Sequence, residues 1–136
     1  MNKEQAKELS LTINEALDLA RKHHNTGHLK QAENIYQQIL QSDPSQPEAL
    51  HLLGVISHQK GNSNHAIELI TNSLAIKPDC ALAYNNLGNI FFSIERQDEA
   101  VESYEIALII DPNFVEAYRN LSKVLMDQGK FDEAAT

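Results

Sequence analysis

The feature that most constrains this chain is a proline that recurs every 34 residues. The repeated prolines are Pro44, Pro78 and Pro112. They divide the chain into the units 13–46, 47–80, 81–114 and a partial 115–136. Each full unit holds two apolar stretches at helical spacing, separated by a short polar turn. A fixed period of this length is typical of stacked helix pairs, because one such unit cannot bury its apolar face alone.

The second and third units carry the same residue order in their first apolar stretch. Leu53-Gly54 stands in one unit and Leu87-Gly88 stands at the same place in the next. Glycine inside a helix costs about 1 kcal/mol relative to alanine. We therefore expect a neighbouring helix to approach closely at both glycines. Alanines follow where the two helices of each unit would cross.

This pattern resembles the tetratricopeptide repeat (TPR) family. The family signature is a large residue, Leu-Gly, an aromatic residue, Ala, a second aromatic residue, Ala and Pro over one period. The resemblance covers residues 13–136. It implies an all-α fold, a right-handed superhelical solenoid of stacked antiparallel helix pairs with about three and a half repeats. Residues 1–136 would form a single array, in which residues 1–12 extend the first helix.

The apolar periodicity predicts seven helices and the start of an eighth at residue 132. The expected bounds are 4–26, 30–42, 47–60, 64–76, 81–94, 98–110 and 115–128. The first helix has two interpretations. The sequence from Thr12 to Glu15 fits a capping box, which would start the helix there. A continuous apolar stripe from Ala6 to Ala20 favours the longer helix, and we expect the longer one.

Four positions depart from the family pattern. His23 and Ser57 stand where the family has an aromatic residue, and Ser73 replaces an alanine. Glu95 stands in an inter-helix turn where the other units have glycine. If that turn requires a positive φ, Glu95 is mildly strained.

The composition excludes several classes of function. Against 19 Asp and Glu there are 11 Lys and Arg, so the net charge is -8 and nucleic acid is not an expected partner. No apolar run approaches a membrane span, and the N-terminus lacks a signal-peptide core. We therefore expect a cytoplasmic protein with no membrane partner. The lone Cys80 cannot form an internal disulfide.

Catalytic motifs are absent from the sequence. The glycines are isolated, so no phosphate-binding loop is formed, and the carboxylates are spread over helix surfaces. We expect no enzyme activity and no cofactor. His24, His51 and His58 invite a metal-site interpretation, since the last two share a helix face. No carboxylate or cysteine stands at ligand spacing with them, so we expect polar groove lining and no metal.

In the family, the first helix of each unit lines a concave groove. The resemblance therefore implies a set of peptide-binding candidates with amide, basic and imidazole side chains. These candidates are Asn85, Asn86, Asn89, Arg119, Asn120, Lys123, His51 and His58. Such a mixed surface suits an extended peptide better than a small molecule.

Two known variants of the family groove fit in part. In TPR domains that hold the C-terminal carboxylate of heat-shock chaperones, asparagine and basic residues form a clamp. Asn86, Arg119 and Lys123 match that clamp, whereas His51 and Val55 do not.

The other variant is the asparagine ladder of O-GlcNAc transferase TPR domains, which contacts a peptide backbone. Asn86 matches and Asn120 matches in part, whereas Asp18 and Leu52 interrupt the ladder. An amide both donates and accepts, so it can bind a backbone whatever the peptide's sequence. The alternative, to which we give equal weight, is that Asn86 and Asn120 merely cap their helices or hydrate the helix surface.

The function that we expect is a non-catalytic protein-interaction module or scaffold that binds a peptide segment of a partner protein. One alternative is a substrate-recruiting N-terminal fragment of a glycosyltransferase-like or sulfotransferase-like enzyme, since similar Leu-Gly phrases occur in such proteins. Another alternative is self-assembly into a homo-oligomer through exposed apolar solenoid ends.

Overall fold

The structure, a computed structural model, describes residues 11–129. This part of the chain forms seven α-helices and no strand. They are α1 (Ile13–Asn25), α2 (Leu29–Ser42), α3 (Pro47–Gln59), α4 (Ser63–Ile76), α5 (Ala81–Ser93), α6 (Gln97–Ile110) and α7 (Val115–Asp127). The prediction of an all-α repeat fold is confirmed. From α2 onward every helix end lies within one residue of its expected place. The helix expected from residue 132 lies outside the described residues.

The first helix is shorter than expected, and the expectation of one helix over 4–26 is wrong at Thr12. Thr12 has an extended backbone with ψ 164° and caps a helix that begins at Ile13. Its hydroxyl accepts the Glu15 N–H, and the Glu15 carboxylate accepts the Thr12 N–H, both at 3.1 Å. This capping box satisfies N–H groups that a helix start leaves unpaired, and it outweighs the apolar stripe. Residues 4–10 lie outside the described residues.

The turns inside the helix pairs share one backbone conformation. Gly27, Gly61 and Glu95 have φ values of 83°, 85° and 64°. At the last turn, the Arg96 N–H donates to the Phe91 carbonyl (2.9 Å) and the Glu95 N–H to the Phe92 carbonyl (3.1 Å). This is the Schellman end of a helix, which requires a left-handed residue. The positive φ expected at Glu95 is confirmed.

The described residues divide into two compact units, with the boundary between Ile76 and Lys77. In the first unit, α1 packs on α2, α2 on α3, and α3 on α4. Alanine, leucine and isoleucine residues from α1, α2 and α3, together with one tyrosine, form an apolar core cluster: Leu17, Ala20, Ala32, Ile35, Tyr36, Ile39, Ala49, Leu53 and Ile56. A Cβ at Gly54 would lie 2.7 Å from Ile70 Cγ1, so α3 and α4 do approach closely there.

The second unit contains α5, α6 and α7, and each of its helices contacts the other two. Ile90, Tyr104 and Val124 are fully buried in it. A Cβ at Gly88 would lie 2.5 Å from Tyr104 Cε1, so the close approach expected at this glycine is also confirmed. That the two units form one continuous array stays a prediction.

Ser73 shows why one departure from the family pattern is tolerated. Its hydroxyl donates to the Pro47 carbonyl at 2.7 Å. Pro47 is the first residue of α3, and Ser73 lies near the end of α4. The serine therefore ties the two helices together with a hydrogen bond that the expected alanine could not make.

Candidate functional site

The asparagine and basic candidates of the second unit lie on α5 and α7. We call this surface the polar face and define it as Asn85, Asn86, Asn89, Arg119, Asn120 and Lys123. Asn85 and Asn89 are four residues apart on α5, as are Arg119 and Lys123 on α7, so each pair shares one side of its helix. The two helices are in contact, which brings the two pairs into one region.

Asn85 is the buried member of the polar face. It is fully buried, and its carboxamide oxygen accepts from the Asn120 side-chain nitrogen at 3.1 Å. Within the described residues its own side-chain nitrogen has no hydrogen-bond partner. A buried amide donor without a partner costs about 1–3 kcal/mol. The sequence placed Asn85 among the peptide-binding groove residues, and its observed side-chain contact is a link between α5 and α7.

Asn89 is held by a residue that the sequence did not indicate for the site. The Tyr104 hydroxyl on α6 donates to the Asn89 side-chain oxygen at 2.5 Å. Burial, and secondarily the charge of Glu116, raise the pKa of Tyr104 to about 12. The phenol therefore stays protonated and keeps donating at neutral pH. Tyr104 matches the family's aromatic position in the second helix, but its partner becomes visible only when α5 and α6 are packed.

Arg119 and Lys123 supply positive charge on the polar face. Both side chains are exposed. Neither one forms an ion pair within residues 11–129. Arg119 and Lys123 are therefore two cations without an ion-pair partner among the described residues, in a chain whose net charge is -8. Their charge is available to a ligand.

The histidine candidates lie in the first unit and differ in exposure. His51 is only 4% exposed, and burial lowers its pKa to about 4. It is therefore neutral at pH 7. His58 is half-buried, with Nδ1 3.2 Å from the Ser63 hydroxyl. That these two histidines share one groove with the polar face stays a prediction.

The metal-site interpretation of His24, His51 and His58, which the sequence analysis did not favour, can be compared with their positions. His24 Nε2 lies 2.8 Å from the Gln59 side-chain oxygen, an amide contact between α1 and α3. Across residues 11–129, no group of three or more His, Cys, Asp or Glu side chains is arranged to hold a metal ion. The same part of the chain contains no helix with both the length and the apolar character that a membrane crossing requires.

Helix pairs of fixed length, left-handed turns between them and a polar face on the first helices define a class, the helical-repeat proteins. Within that class, two family models match. One is described as a tetratricopeptide repeat and covers residues 25–90, and the other as a TPR repeat and covers residues 88–129. Together the two models cover residues 25–129, so this part of the chain belongs to the tetratricopeptide repeat family. Among curated protein sequences, no significant match was found.

Several solved structures share the fold. MamA is 26% identical to this chain with a TM-score of 0.85, and the alignment covers 98% of this chain and 78% of the MamA chain. An O-GlcNAc transferase of Thermobaculum terrenum is 29% identical with a TM-score of 0.81, covering 83% of this chain but only 22% of the transferase. The first TPR of Spaghetti (RPAP3), solved with an HSP90 peptide, is 21% identical with a TM-score of 0.78, over 84% of this chain and 90% of its own.

Proposed function

We propose that the polar face of the second unit binds an extended, acidic peptide segment of a partner protein. The observation that supports this most directly is the pair of exposed, unpaired cations, Arg119 and Lys123, beside the amides of α5. The amides would bond the peptide backbone, and the cations would bind a carboxylate through charge-assisted hydrogen bonds. Each such bond contributes about 1.5–3 kcal/mol.

The arrangement of contacts beneath the face supports the same proposal. Asn85 holds Asn120, and Tyr104 holds Asn89, so two of the amides are fixed before a ligand arrives. A ligand then meets groups whose side-chain entropy has already been lost, which lowers the cost of binding. Asn89 retains its amide N–H groups and Asn120 retains its side-chain oxygen for a peptide.

The test is a selection of random peptides displayed on phage, carried out with three proteins in parallel. The wild-type protein should enrich acidic peptides. The double variant Arg119→Glu/Lys123→Glu should lose those peptides, with an affinity at least about tenfold lower in fluorescence polarisation. Binding to the wild type should also weaken as salt is raised.

The matched control for this test is Lys22→Glu/Lys30→Glu. It makes the same change in net charge at two exposed lysines of the first unit. It should bind the selected peptides as the wild type does. Enrichment of peptides without acidic residues, or equal loss of binding in both double variants, would contradict the proposal.

A second candidate function rests on the likeness to the O-GlcNAc transferase. In that enzyme the matched region is about a fifth of the chain, so the array there is one part of a larger protein. A recruiting arm would hold a protein substrate on the same polar face. Reading the parent gene on both sides of this segment distinguishes the candidates, because only a recruiting arm requires a catalytic domain in the same chain.

A further inference from the structure

The corner where α5 turns into α6 is closed by three side chains. Phe91 is 8% exposed, and the Arg96 guanidinium carbon lies 4.8 Å from its ring centroid. Glu99 fixes Arg96 by accepting from Nε and from a terminal nitrogen, each at 2.5 Å. An aromatic ring, a cation above it and a carboxylate that holds the cation therefore fill this corner.

The equivalent corner of the first unit, between α3 and α4, lacks all three groups. The residues 34 positions earlier are Ser57, Asn62 and His65. In place of a ring there is a cleft of about 220 Å³, bounded by these three residues together with Leu53 and residues of α2. Ser57, at the family's aromatic position, is buried beside Leu53 in the wall. Ser57, which aligns with Phe91 of the second unit, borders this cleft.

A cation and a carboxylate also stand at this cleft, but they come from different positions. Lys60, in the turn after α3, places Nζ 2.9 Å from the Glu33 carboxylate on α2. Their side chains are 56% and 18% exposed, so the lysine forms the outer part of the wall. Gln37 adds an amide to the same wall. The cleft thus combines an apolar residue with hydrogen-bonding groups and one cation.

The volume of the cleft limits the size of the ligand that it can hold. A cavity of about 150 Å³ holds one benzene molecule, so 220 Å³ accommodates one substituted six-membered ring. A purely apolar ring would leave the amides of Gln37 and Asn62 facing it without compensation. A ring with a hydroxyl can donate to the Glu33 carboxylate while its face lies against the Lys60 ammonium.

We propose that the cleft bounded by Glu33, Leu53, Ser57, Lys60, Asn62 and His65 binds a single phenol ring. The ring lies against Ser57, which aligns with Phe91 of the second unit, and Lys60 is the cation beside it, as Arg96 is beside Phe91. A tyrosine side chain of a partner protein and a free phenolic compound offer the same ring. This site is separate from the polar face, and neither proposal depends on the other.

The experiment is a titration of the ¹⁵N-labelled chain with p-cresol, followed by two-dimensional NMR. We expect saturable shifts of the amide signals of Ser57, Lys60, Asn62 and His65, and none at Phe91. Cyclohexanol, of similar size but without an aromatic face, should give no saturable shift. Absence of saturable shifts with p-cresol, or equal shifts with cyclohexanol, would overturn the proposal.

Two variants test whether the shifts caused by p-cresol arise from binding in the cleft. Ser57→Phe supplies the missing ring and should abolish the p-cresol shifts, whereas Ser57→Ala should retain them. If Ser57→Phe does not fold, Gln37→Trp fills the cleft from its wall and replaces it. A folded cleft-filling variant that keeps the wild-type shifts refutes the assignment.

A second ligand identifies the source of the ring. N-acetyl-tyrosinamide carries the same phenol on a peptide backbone. Shifts at the same four amides would support a tyrosine of a partner protein as the occupant. Shifts with p-cresol alone would support a free phenolic compound, because the backbone atoms then exclude tyrosine.

Discussion

At the scale of the residue, Glu95 shows that the turn inside a helix pair keeps a positive φ even where the residue is not glycine. Its φ of 64° matches the glycines of the other turns, and the Schellman hydrogen bonds around it are formed. An L-residue in this region costs about 1–2 kcal/mol relative to its ordinary conformation. The strain was predictable from the sequence, because the repeat places Glu95 in register with Gly27 and Gly61.

Replacement of Glu95 by glycine should raise the free energy of unfolding by about 0.5–1 kcal/mol. Removal of the strain stabilises the fold, and the greater freedom of glycine in the unfolded chain offsets part of the gain. Urea unfolding followed by circular dichroism measures the difference. The control is Gly61→Ala, where an added Cβ has no atom within 4 Å and only the backbone changes. It should lose about 1 kcal/mol, and a change of the same sign in both variants would disprove the explanation.

His51 makes stability depend on pH. Its pKa is about 4 in the folded chain against 6.5 ordinarily, so the unfolded chain binds the proton first as the pH falls. The free energy of unfolding should be unaffected above pH 6.5 and should fall by up to about 3 kcal/mol between there and pH 4. Urea midpoints measured across this range should fall less steeply for His51→Gln. The variant of the exposed His28, His28→Gln, should follow the wild type, and identical slopes in all three proteins would exclude His51 as the cause.

At the scale of the element, helix ends were predictable where a local signal acts alone. The prolines and turn residues placed α2 to α7 within one residue. The start of α1 was not predicted correctly from the sequence, because two local signals compete there. The Thr12 capping box outweighs the apolar stripe. The polar face was predicted as a set of residues, but the burial of Asn85 was not. The hydrogen-bond partner of the buried amide is Asn120, which is 35 residues away in sequence and on another helix.

The crossing of α5 and α6 depends on the absence of a side chain at Gly88. In Gly88→Ala the added Cβ would lie 2.5 Å from the Tyr104 ring. Overpacking costs about 1–3 kcal/mol and the better helix propensity of alanine offsets about 1 kcal/mol of it, so a net loss of up to about 2 kcal/mol is expected in urea unfolding. In a Tyr104→Leu background the same change should cost nothing, because the ring is gone. An equal loss in both backgrounds would show that the contact with Tyr104 is not responsible.

At the scale of the whole molecule, α7 carries apolar surface that the described residues leave uncovered. Val115, Tyr118 and Met126 are 63%, 51% and 57% exposed. Large apolar side chains grouped on one helix favour association. The sequence raised self-assembly through apolar ends as an alternative function, and this surface is where we would look for it.

We therefore expect the mass measured by light scattering during gel filtration to rise with protein concentration. Tyr118→Glu should reduce that rise, because it introduces a charge into the middle of the apolar surface. The comparison variant is Glu102→Gln, an exposed change on α6, which should behave as the wild type does. A constant monomer mass for the wild type at every concentration would rule out association through α7.

The difference between Ser57 and Phe91 separates two uses of the same contact energy. In the second unit the contact between the Phe91 ring and the Arg96 guanidinium lies within the chain and stabilises the fold at all times. In the first unit a ligand would supply the ring of this contact. A bound ligand stabilises a fold by an amount that grows with the logarithm of the ratio of its concentration to its dissociation constant. The heat resistance of the first unit would then rise with the amount of phenolic partner present. That of the second unit would not, so one chain would carry both a sensor and its internal reference.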